Sequence, residues 1–133
     1  MFSPDGRWIA YQSLESGRSE IYVQPFPPSG AKWQVSREGG VKPRWRRDGK
    51  ELFYASDISD GMLMAVPVLD AGTSFRSGVP KALFETHFPD ILAHRYAYAV
   101  SPDGQRFLLI SPLQPTTPTP VNIGINWAAS LKK

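Results

Sequence analysis

A chain of 133 residues, 41% hydrophobic and 20% charged, has the length and apolar content for one buried core, which excludes a disordered tail. Its net charge of +3 is too small to argue for nucleic acid, and without cysteine it has neither disulfides nor thiolate metal sites, while the redox compartment stays open. Its 11 glycines and 13 prolines exceed the usual share of roughly 12% for the two together, which favours short elements separated by turns, and no apolar run nears the roughly 18 residues of a membrane span.

The first element is a turn. "FSPDGRWIAYQS", Phe2 to Ser13, places Ser-Pro-Asp-Gly between an apolar residue and an apolar run, the grammar of a β-hairpin. A strand "RWIAYQS" is expected after it, then the turn "LESGRS", a strand "EIYVQPF", the turn "PPSGA" and a strand "KWQVS". After "REGG" the order returns as "VKPRW", "ELFYAS", "MLMAVPV" and "KALFE". It returns again as "RYAYAV" and "RFLLIS", then, beyond the Pro/Thr-rich loop "PLQPTTPTP", as "VNIGINWAASL". Helical periodicity is nowhere sustained.

The opening phrase recurs as "WRRDGKELFYAS" (Trp45 to Ser56) and "VSPDGQRFLLIS" (Val100 to Ser111). Trp45 follows Phe2 by 43 residues and Val100 follows Trp45 by 55, against a period near 40 to 45 for a four-stranded propeller blade. The longer second unit carries about a dozen extra residues, assigned to loops in "DAGTSFRSGVP" and "THFPDILAHR". In the turns, Pro supplies a fixed φ, Asp5, Asp48 and Asp103 bond nearby backbone amides, and Gly6, Gly49 and Gly104 take the positive φ that follows. That is a type I turn closing in a bulge. The middle copy, Arg46-Arg47-Asp48-Gly49, keeps only Asp-Gly.

The phrase Phe-Ser-Pro-Asp-Gly-Arg before an apolar strand, recurring at blade spacing, closely resembles the Asp-Gly repeats of TolB-like, WD-repeat-like β-propellers, and the resemblance covers nearly the whole chain. The ending "VNIGINWAASLKK" resembles the last strand of the propellers that follow a membrane helix in some bacterial serine/threonine kinases. The resemblance implies an all-β chain of about three blades (residues 1–40, 41–93 and 94–133), each an antiparallel sheet of up to four strands. It also implies an extracytoplasmic sensor or interaction module, with phosphoryl transfer in a separate domain. Alternatives are the propeller of a prolyl-oligopeptidase-type peptidase and a periplasmic translocation propeller. Only Met1 and Phe2 stand where the first inner strand belongs, and the third unit lacks a fourth strand, so upstream blades of the same parent are the expected partner. "NIGINW" is expected to pair with an outer strand from upstream of Met1, which is then an internal residue or a truncated start.

No segment carries a catalytic constellation. There is no phosphate-cradling loop, no Asp-Phe-Gly segment and no Gly-x-Ser-x-Gly elbow, and "HRY" at His94 to Tyr96 has Tyr where a kinase loop has its Asp. No cofactor is needed. His87, Asp90 and His94 fit a polar loop at a blade rim better than a metal centre, which needs three or four convergent ligands. The turn aspartates fit local backbone bonding better than calcium. The remaining feature is "VKPRWRRDGK", where strand alternation sets Lys42, Arg44 and Arg46 on one face and Val41, Pro43 and Trp45 on the other. On an innermost strand this row would approach the central channel or an end of it and suit an anionic partner, the alternative being a solvated basic face balanced by Glu51 and other nearby acids, while Trp45 points the wrong way to stack on nucleic acid bases.

Overall fold

A computed structural model of the chain describes residues 1–56, 61–71, 73–86 and 98–110. These are all-β, with antiparallel pairing throughout and no helix among the described residues. The first sheet has the order β1 (Trp8–Ser13), β2 (Glu20–Pro25), β3 (Trp33–Gln34). Phe2 bridges to Ile9, and the Ala10 amide donates to the Met1 carbonyl, so the first two residues lie antiparallel along β1. The second sheet is built from β4 (Val41–Trp45), β5 (Glu51–Ala55), β6 (Met62–Ala71), β7 (Phe75–Ser77) and β8 (Lys81–Glu85). The third pairs β9 (Tyr98–Val100) with β10 (Phe107–Leu109). Among the described residues, strands form within the apolar runs the sequence marks from "RWIAYQS" to "RFLLIS", while "VNIGINWAASL" lies outside the described residues.

The middle sheet buries both faces. Leu52 and Tyr54 on β5, with Trp45 on β4 and Val66 on β6, join Trp8, Ala10, Ile21, Val23 and Val35 of the first unit in one core. The alternate residues Phe53, Leu63 and Ala65 form a second core with Tyr98, against which Phe84, Val100 and Phe107 pack. Because side chains alternate across a strand, a sheet packed on both sides needs an unbroken apolar run, and "LFYA" from Leu52 to Ala55 is buried at every position. The units thus lie face against face in sequence order.

Two expectations change in the second unit. Its sheet has five strands rather than at most four, and "DAGTSFRSGVP" contains a strand rather than only a loop. The cause is the length of β6, whose first half pairs with β5 and β8 while its far end, across a register shift, pairs with β7. The sheet is strongly curled as a result. Folding back in this way delivers Phe75 into the first core at 1% exposure, with ring centroids 5.6 Å from Trp8, 6.0 Å from Trp33 and 6.2 Å from Trp45. The presumed insertion therefore plugs the space between the first two units. Phe75→Ala should destabilise the protein by about 3–5 kcal/mol in a urea melt. A loss under about 1 kcal/mol would return Phe75 to a loop role.

Candidate functional site

The three recurring turns share one geometry. Gly6, Gly49 and Gly104 have φ of 73°, 72° and 72°, and each amide donates 2.9 Å back to the carbonyl three residues earlier, on Ser3, Arg46 and Ser101. Each aspartate bonds the amide two residues on: Asp5 takes Arg7 at 3.1 Å, Asp48 takes Lys50 at 3.0 Å and Asp103 takes Gln105 at 3.0 Å. In the outer copies a serine hydroxyl also donates to the aspartate, Ser3 to Asp5 at 2.6 Å and Ser101 to Asp103. In the middle copy Arg46 does this instead, its Nε lying 2.7 Å from Asp48 Oδ1. These donors hold all three carboxyls below the usual carboxylate range, Asp5 at about 2, chiefly through Ser3.

The turns also touch in sequence order. Pro4 Cδ lies 3.8 Å from where a Cβ on Gly49 would sit, and Arg46 Cδ only 2.5 Å from the equivalent point on Gly104. A cleft of about 500 Å³ lies between the first two turns, bounded by Asp5, Arg7, Trp8, Trp45 and Asp48.

The basic row divides among three tasks. Arg46 is held by its own turn, with Nη1 3.0 Å from Glu51 in addition to the Asp48 contact. Arg44 lies opposite Phe53 on the face toward the third unit, its guanidinium carbon 5.9 Å from the centroid of the Tyr98 ring and its Nη1 3.7 Å from Met1 Sδ. At Lys42 the strict alternation fails, because β4 carries one extra residue and Val41, not Lys42, is in step with Arg44. Lys42 adopts φ 57°, its carbonyl accepts the Tyr98 hydroxyl at 2.7 Å, and its amide donates 3.2 Å to Gln12 Oε1. Burial pushes the Tyr98 phenol far above its ordinary pKa, so it stays a donor. The structure therefore brings Arg44 and Tyr98 together at a cleft of about 440 Å³ that also takes in Met1, Leu108 and Ile110, while Lys42 meets Tyr98 only through its backbone carbonyl and does not line the cleft. Arg46 belongs to the turns.

Sequence reasoning missed a buried carboxylate. Glu20, 1% exposed, leads a strand whose next three residues, Ile21, Tyr22 and Val23, are buried hydrophobics, and it accepts from the Ser36 hydroxyl, from the Gly39 amide at 3.1 Å and from Arg18 Nε at 2.7 Å. Ser36 in turn accepts from the Ile21 amide at 2.7 Å. Every ligand of the carboxylate is thus internal, and the network fastens the loop from β3 to β4. No short motif announces it, since its partners are up to 19 residues away. His87, Asp90, His94 and "NIGINW" lie outside the described residues, and among those described no three His, Asp or Glu side chains converge as a metal site would require.

The turn glycines should not respond alike to substitution. Gly6→Ala meets nothing within 4 Å and should cost about 1–2 kcal/mol for its positive φ alone. Gly104→Ala carries the same strain and also displaces Arg46, which two carboxylates hold, so its loss in a denaturant melt should be clearly larger. Equal losses would show that the second and third turns do not touch.

Set beside known proteins, the chain matches no family model and no curated protein at a significant level.

Proposed function

We propose that the chain supplies consecutive blades of a TolB-like, WD-repeat-like β-propeller and serves as a non-catalytic recognition scaffold in a larger bacterial protein, such as a membrane serine/threonine kinase. The observation that carries this reading is the lateral order of the repeats. The middle sheet packs one face on the preceding unit and the other on the following one, and equivalent turns touch their counterparts. Repetition of that kind builds rings of typically four to eight blades, so on this reading the three units form part of a larger ring.

The inner strands supply the recognition surface. Met1, Arg44 and Tyr98 come from three successive units and meet at one cleft, where a guanidinium lies over an aromatic ring. That chemistry suits a carboxylate-bearing protein partner, which a guanidinium can grip with two parallel hydrogen bonds. Fluorescence anisotropy with a labelled oligoglutamate peptide tests the reading. Saturable binding should weaken with salt and fall severalfold in Arg44→Gln, while Arg46→Gln, whose cation is tied to Asp48 and Glu51, should bind as the native chain does. Absence of saturable binding, or equal binding by native and Arg44→Gln chains, would overturn it.

A further inference from the structure

We propose a second binding site, for a neutral and mostly apolar molecule bearing a carbonyl, in the cleft between the loop at residues 37–39 and the outer half of the curled sheet. This site is independent of the propeller reading, because the first two units build it by themselves.

The floor is a row across three strands. Tyr54 on β5 is paired with Met64 on β6, and Met64 with Ala82 on β8, so the three side chains share one face of the sheet, with Met62 beside them. The cleft holds about 460 Å³, within the range of pockets that enclose a small ligand. Methionine walls are soft and adapt to different apolar shapes. Arg37 and Glu38 stand at the rim with opposite charges, which gives an ion of either sign no net attraction. Ser56, Val79 and Pro80 complete the lining.

The second observation is Tyr54 itself. Its side chain is 3% exposed, and its hydroxyl makes no hydrogen bond among the described residues. No fully enclosed side-chain oxygen or nitrogen among the described residues goes without a partner, so this oxygen retains a path to solvent, and the cleft is what Tyr54 lines. A buried hydroxyl without a protein partner is costly unless water or a ligand meets it. Burial, helped by Glu20 and Glu38, pushes its pKa up to about 12, which keeps it a proton donor at neutral pH. A donor at the bottom of an apolar cleft selects a hydrogen-bond acceptor on an apolar body, and a carbonyl is the neutral group that fits. The Glu20 network holds the opposing loop through the Gly39 amide, so the cleft is preformed.

Benzophenone is a suitable probe, since it carries an apolar body and one carbonyl, and near-ultraviolet light attaches it to adjacent C–H bonds. It should bind the full chain saturably and label the peptide that holds Met62 and Met64. Tyr54→Phe, which keeps the packed ring, should weaken benzophenone about three- to tenfold. The same variant should leave 1,1-diphenylethylene, with a CH₂ in place of the oxygen, unchanged. Ala82 is exposed at the sheet edge, so Ala82→Phe should melt as the native chain does yet bind neither compound. Non-saturable binding, labelling elsewhere, equal effects of Tyr54→Phe on both compounds, or full binding by Ala82→Phe would each overturn the site. None of these results bears on the oligoglutamate experiment, which probes the opposite face of the sheet.

Discussion

The structure depends on the two-sided burial of β5. Leu52 and Tyr54 face the first unit and Phe53 the third, so a single five-residue strand joins two cores that would otherwise be separate. A strand buried on both faces cannot slip by one residue without exchanging its two sets of neighbours, which fixes the register of the middle sheet and the order of the units together. The adjacent turns follow from it. Once the sheets stack, their equivalent ends arrive side by side, and Arg46 lies against Gly104 because Phe53 lies against the third unit.

The turns show how one backbone geometry tolerates different side chains. Asp-Gly supplies the acceptor and the positive φ in all three copies, while the donor that steadies the aspartate is a serine hydroxyl at the outer two and a guanidinium at the middle one. Loss of Ser and Pro from the middle copy is therefore a replacement and not a defect. It also removes Arg46 from the basic row, leaving the Arg44 guanidinium over the Tyr98 ring and the Lys42 carbonyl on its hydroxyl.

Features with a local cause were legible in the sequence. Most strand positions among the described residues, the Asp-Gly turns and the burial of Trp45 opposite Arg44 all follow from alternation and turn chemistry within a few residues. Features set by distant partners were not. "TSFRS" reads as a loop because nothing local reveals that β6 continues far enough to pair with it, and Phe75 becomes a core residue only through three tryptophans from other elements. Lys42 escapes the alternation through a single bulge, and a bulge leaves no mark in a run such as "VKPRW". The Glu20 network and the Tyr54 hydroxyl depend in the same way on a loop that only the fold brings near.

The central claim is that successive units lie side by side with their turns in contact, and proton–proton proximity in solution tests it most directly. In a carbon-edited nuclear Overhauser spectrum, the account predicts cross-peaks from the Gly104 α protons to the Arg46 δ protons and from the Gly49 α protons to the Pro4 δ protons. Strong signals within each hairpin with neither of these between hairpins would mean that the units fold separately and do not stack.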